Sequence, residues 1–144
     1  MRTIEVANTD EEIIRTHVIM RQLYDHLKEV GESNYLKLVK MQQAEVAFEL
    51  AALTEDEHII CVAGFRLCRN LGWGKYLYVD DLVTDGGHRS RAAGKQMLDW
   101  LIARARSEQC VEVRLDAKVS RNRAHRFYLR ERMDIVAFHF CFRL

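Results

Sequence analysis

Two hydrophobic periods run along this chain. Period-two stretches rich in β-branched and aromatic residues predict strands over 2–6, 46–53, 58–68, 76–83 and 111–117. A closing strand is also expected, with Phe138, Phe140, Phe142 and Leu144 alternating against His139, Cys141 and Arg143 as a half-buried edge. Helical spacing predicts four helices. The first follows the capping box Thr9-Asp10-Glu11-Glu12 and puts Ile13, His17, Met20, Tyr24 and Leu27 on one face until Gly31 breaks it. The second covers 34–44 with Tyr35, Leu38 and Val39 inward. The third starts at Ala93 and carries Met97, Leu98, Leu101, Ile102 and Ala105, and the fourth covers 122–130 with Ala124, Phe127 and Tyr128. Gly64 inside a strand pattern signals a bulge or a close backbone approach. The order βααβββαβαβ implies a mixed sheet in an α/β (α+β layered) arrangement, and the unit from Tyr76 to Ala117 should pair in parallel through a right-handed crossover. The 144 residues make one domain, with no proline, repeat or linker.

The stretch YLYVDDLVTDGGHRSRAAGKQMLDWLI, residues 76–102, organises the rest. It reads as a strand, the sharp turn Asp85-Gly86-Gly87 and an amphipathic helix. A helix start offers unpaired N–H groups and about half a positive charge from the macrodipole. Arg89, Arg91 and Lys95 add cations there, and Ser90, Ala92, Ala93 and Gly94 let a ligand approach the main chain. That combination suits a diphosphate.

Arg89-Ser90-Arg91-Ala92-Ala93-Gly94 resembles the R/Q-x-x-G/A-x-G/A loop of the GCN5-related N-acetyltransferases (GNAT family). Tyr78 to Val83 is similar to that family's fourth strand, and Ala124-His125-Arg126-Phe127-Tyr128 to the A-x-x-[FL]-Y run of its last helix. The likeness covers the chain from about Ile59 onward. It implies the acyl-CoA N-acyltransferase fold: a mostly antiparallel mixed sheet with a splayed parallel pair, flanked by helices. It also implies acetyl-CoA as acyl donor and direct transfer to a primary amine. Loop amides of residues 89–95 would hold the pyrophosphate, with Arg121 and Asn122 near the family's usual asparagine contact. Backbone at Leu82, Val83 and Thr84 would pair with the pantetheine and steady the oxyanion.

The resemblance gives Tyr128 the part of general acid toward the leaving thiolate, against a helix-face packing role that its spacing would also fit. Asp80 and Asp81 resemble the acidic pair of polyamine-type relatives. Neighbouring strand residues face opposite ways, so the two have different jobs. The register of those relatives would turn Asp80 to the substrate, acting through a water, by binding the cation, or as a base with a pKa raised by burial; the alternative is a strand-end carboxylate capping a loop amide or paired with an arginine. His88 is a rival base by type, but falls in the phosphate loop, where it would contact coenzyme A or solvent. Tyr24, His26 and Tyr35 would border the acceptor, unless the tyrosines are packing residues. Departures from the family pattern are Ala92 for glycine, Gly86 for proline, Arg121 for asparagine and Arg132-Met133 for Gly-Phe. A coenzyme A-binding sensor or structural domain that keeps the fold without turnover is the competing reading.

Composition adds less. The net charge of +1 conceals an acidic first half, with 8 Lys/Arg against 12 Asp/Glu in residues 1–72, and a basic second half with 14 against 9. The basic half suits a polyanionic cofactor. Dispersed basic residues without a recognition motif argue against nucleic acid, and no stretch has the roughly 18 apolar residues of a membrane span. The segment MRTIEVANTDEE lacks a signal-peptide core, so a cytoplasmic location is expected. Cys61, Cys68, Cys110 and Cys141 form no CxxC pair and read as reduced, mostly buried thiols with no metal. The phenylalanine face of the closing strand makes a homodimer conceivable.

Overall fold

Thr9 opens the first helix as its sequence demands. Its hydroxyl accepts the Glu12 N–H at 3.2 Å, and the Glu12 carboxylate accepts the Thr9 N–H at 2.9 Å. The structure is a computed structural model that describes residues 1–89 and 92–144. Two compact units make up the chain, Met1–Arg114 and Leu115–Leu144.

In the first unit, β1 (Arg2–Val6), β2 (Glu49–Glu55), β3 (His58–Asn70) and β4 (Gly74–Thr84) pair antiparallel in succession. The strand β5 (Glu112–Leu115) stands next to β4, giving the order β1-β2-β3-β4-β5 in a mixed sheet. The expected first helix is two: α1 (Asp10–Arg15) and α2 (His17–Leu23), followed by a 3-10 turn at Asp25–Glu29. Thr16 makes the break, since its hydroxyl bonds back to the Ile13 carbonyl at 2.6 Å and meets the Tyr35 hydroxyl at 2.7 Å. Next come α3 (Glu32–Val46) and α4 (Ala93–Ser107). Ala47, left-handed at φ 54°, closes α3 and turns Phe48 into the core.

Both faces of the sheet are covered. On one, Ile13, Ile19, Met20, Tyr35 and Val39 of α1–α3 pack with Phe48, Leu50, Val62 and Val83. On the other, α4 buries Met97, Leu98, Leu101 and Ala105, and Trp100 meets the Phe65 ring edge-on at 5.9 Å. Covering on both faces explains why Ile60 to Phe65 is buried without interruption. Leu38, expected inward, is 45% exposed. It lies one residue from Val39, and the helix face that turns to the sheet is narrower than the apolar run.

The second unit holds α5 (Asn122–Arg130). The closing strand does not form: residues 133–144 are neither helix nor strand, and Phe138, Phe140, Phe142 and Leu144 are 84–117% exposed. Alternation marks a face but supplies no partner strand, and a strand needs its ladder bonds. The thiols also differ from expectation. Cys61 is buried, Cys68 and Cys110 are half-buried, and Cys141 is exposed. Among the described residues, no helix is long and apolar enough to cross a membrane, and no group of three His, Cys, Asp or Glu could hold a metal.

Candidate active site

The site is built around a fault in β4. Its register against β3 pairs Gly64 with Asp81 and Phe65 with Val79, which leaves Asp80 as the extra residue of a bulge. The bulge fixes which aspartate faces where. Asp80 is clamped by Arg66, whose Nε and Nη2 donate to its two oxygens at 2.7 and 2.9 Å. Asp81, not Asp80, lines the cavity on the α2–α3 side. Against the expectation that Asp80 turns to the substrate, the bulge re-aims the strand so that Asp80 meets Arg66 and Asp81 meets the cavity.

Gly64 makes room for this. A Cβ there would stand 2.3 Å from Asp81 Oδ2 and 2.4 Å from the Phe48 ring, closer than any real contact. The glycine seen as a bulge signal in the sequence is the seat of the Asp81 carboxylate. Burial pushes the Asp81 carboxyl up to about 6, opposed by a hydrogen bond from the Tyr24 hydroxyl and by Arg66, and aided by the charge of Asp80. Tyr24 can reach it because α2 ends at Leu23 and Tyr24 is extended, at φ −123° and ψ 104°.

The cavity has a volume of about 360 Å3. Tyr24, His26 and Tyr35, the residues expected near an acceptor, all line it. Tyr35 is 3% exposed, its hydroxyl lies 2.7 Å from that of Thr16, and burial raises its phenol to about 12. It is a packed wall residue rather than a proton carrier. Phe48, Leu50, Met41 and Glu45 also line the cavity. No local pattern marks them, since chain topology alone assembles them.

Beyond the bulge, Leu82, Val83 and Thr84 pair with Ala63, Val62 and Cys61 on the β3 side. The Val111 N–H donates to the Lys75 carbonyl at 2.8 Å. A four-residue β5 starting there is too short to reach Leu82. The chain then turns through Asp85, and Gln22 of α2 fastens that turn. Its amide donates to Asp85 Oδ1 at 2.8 Å and accepts the Gly86 N–H at 2.9 Å. These bonds, with His88 Nδ1 2.7 Å from Asp85 Oδ2, hold the Asp85 carboxyl below its usual range, the Gln22 contribution being the largest. Gln22 escaped the sequence reading because a glutamine on a wet helix face carries no signal. His88 thus pairs within the turn, whereas its loop position alone suggests coenzyme A or solvent as its contact.

Ala92 begins α4 in the left-handed conformation, at φ 57° and ψ 21°, with no side-chain cap. That backbone favours glycine, the residue usual there in the GNAT loop. The first N–H groups of α4 thus lack an intrahelical acceptor, and Ala93 and Gly94 add no bulk above them. Arg89 is exposed beside this start, and Lys95 pairs with Asp99 at 3.0 Å. Ser90 and Arg91, also expected in the loop, lie outside the described residues. In the second unit, Arg121 precedes α5 and Asn122 begins it, while the Tyr128 ring lies 5.3 Å from that of Phe127.

Comparison with known proteins bears on the family and the fold. The chain is 30% identical over 118 residues to an uncharacterized N-acetyltransferase, YhdJ, of Bacillus subtilis (strain 168), covering 82% of this chain and 81% of that one. Its fold is similar to a crystal structure of a transcriptional regulator from Bacillus halodurans C-125, with TM-score 0.85, 18% identity and full coverage of both chains. It is also similar to the aminoglycoside N-acetyltransferase AAC(6')-Iy in complex with CoA, with TM-score 0.82, 11% identity and coverage of 100% of this chain and 95% of that one. The family model for the Acetyltransferase (GNAT) family matches residues 20–133, and the chain belongs to that family.

Proposed function

We propose that the protein is an N-acetyltransferase that passes the acetyl group of acetyl-CoA directly to a primary amine, with Asp81 taking the amine's proton. The observation that carries this is the position of Asp81. It faces a cavity from the residue just before Leu82–Thr84, with its carboxyl raised to about 6 and so ionised at neutral pH yet more basic than an ordinary aspartate. The start of α4, where Ala92 supplies no side-chain cap, suits the cofactor's phosphates, and the thioester supplies an activated acyl carbon.

In the reaction the neutral amine forms a C–N bond to the acyl carbon as the C–S bond breaks. The ammonium proton passes to Asp81, directly or through water. The thiolate takes a proton from the Tyr128 phenol, which the family motif assigns as acid. No covalent enzyme intermediate is needed. Asp80 is left a structural part in this reading, since Arg66 occupies both its oxygens.

Thiol release from acetyl-CoA across a panel of amines tests the proposal. Asp81→Asn should lower kcat about 100-fold or more and Tyr128→Phe about 10- to 100-fold, with acetyl-CoA binding retained by calorimetry. Binding without thiol release from any amine would favour the sensor reading. For the exposed phenylalanines of residues 138–142 the proposal includes a second copy as partner. Light scattering should then give twice the 16.9 kDa chain mass, and a monomer mass would remove that part.

A further inference from the structure

We propose that the acceptor is a primary monoamine on a compact apolar body without an anionic group, an arylalkyl- or branched alkylamine held with its nitrogen at Asp81. This rests on the reading of Asp81 as proton acceptor. The inner wall of the cavity includes Met20, Val39, Phe48 and Leu50, each 0–4% exposed. At its mouth stand Leu38 and Met41, 45% and 55% exposed, so apolar side chains continue from the core out into water. Such an unbroken apolar path suits a ligand that enters with its hydrocarbon part against the wall.

The polar inventory is short, and includes the Gln42 amide on an exposed position. The Tyr35 hydroxyl is engaged with Thr16 and that of Tyr24 with Asp81. Ionisable groups along the described wall, the two phenols apart, are Asp81 within and Glu45 and His26 on exposed positions; no lysine or arginine is among them. A ligand with a carboxylate or phosphate beside its amine would meet two carboxylates and no fixed cation. A polyamine would carry a second ammonium across the apolar wall, where Glu45, on an exposed position, is the one carboxylate beyond Asp81 along the described wall. The anion is left without a counter-charge and is rejected strongly, whereas the second ammonium meets a solvated carboxylate worth little and is rejected weakly. A monoamine leaves nothing unmatched: its ammonium meets Asp81 and its body covers the wall.

The test measures kcat/KM with acetyl-CoA for 2-phenylethylamine, 3-methylbutylamine, phenylalanine, spermidine and a lysine peptide, and calorimetric binding of the same five to the full chain. The expected kcat/KM for phenylethylamine exceeds that for phenylalanine by about 100-fold and that for spermidine by about 10-fold. Leu38→Asp, which adds a carboxylate at the mouth, should close most of the spermidine gap. Turnover that prefers spermidine, phenylalanine or the peptide would overturn the acceptor class and leave the acetyltransferase reading standing. Apolar amines that bind and lose affinity in Asp81→Asn, without any thiol release, would overturn that reading and leave the pocket assignment standing. Failure of every amine to bind or react would overturn both.

Discussion

The two faces of the sheet share their strands but not their finish. Under α4, Met97, Leu98, Leu101 and Ala105 are 0–3% exposed, and Trp100 lies against Phe65. Under α2 and α3 the same strands support a cavity with a carboxylate inside it. The difference traces to small local choices. The α4 face is one regular 15-residue helix laid on β3 and β4. The opposite face is covered by α1 and α2 broken at Thr16, a 3-10 turn and α3. Interrupted helices cannot interdigitate along their length, so a gap remains, and the bulge at Asp80 turns Asp81 into it. A dry face holds the fold, and a broken one leaves space for chemistry.

Truncation on the dry face should have the largest effect on stability. Leu101→Ala removes a fully buried side chain and should cost about 2–5 kcal/mol in denaturant unfolding, while leaving the KM for the amine within about twofold. A comparable loss of amine affinity would mean that the two faces are not separable.

A charge removed from the broken face should act in the opposite direction. The Asp81 carboxyl is raised in the folded chain from 3.8 to about 6. Its contribution to stability is therefore complete below about pH 4, declines as pH rises and is lost above about pH 6. Asp81→Asn removes that loss and can still accept from Tyr24. It should be more stable than the parent by about 2–3 kcal/mol at pH 8, an advantage that vanishes near pH 4. Thermal unfolding at the two pH values reads this out, and a variant less stable at pH 8 would show that Asp81 is a structural ion. Enhanced stability with lost turnover is the pattern of a site that stores unfavourable charge for function.

The smallest effect belongs to the loop. Ala92→Gly relieves a left-handed alanine and should gain at most about 1 kcal/mol, with acetyl-CoA affinity equal or improved. Weaker binding would point to a contact made by the alanine methyl itself.

The α4 side was largely legible. Its 3.6-residue period, glycine turn and small residues stand together in sequence, and the capping box at Thr9 likewise declares itself within four residues. The cavity was not. Phe48, Leu50 and Glu45 come together through the α3–β2 turn, and a helical reading through residue 27 hid the fact that Tyr24 leaves the helix. The choice between Asp80 and Asp81 turned on a bulge. Gly64 hinted at one, but the shifted register lies in strand pairing that no single strand reveals. The phenylalanine alternation near the C-terminus misled for the same reason.

The pH dependence of kcat/KM tests the central claim most directly. With Asp81 as the proton acceptor, the acid limb should bend at about 6, and Tyr24→Phe, which removes the hydrogen bond favouring the carboxylate, should move that bend upward. A profile without a bend between about pH 5 and 7, or one that Tyr24→Phe leaves in place, would contradict the account.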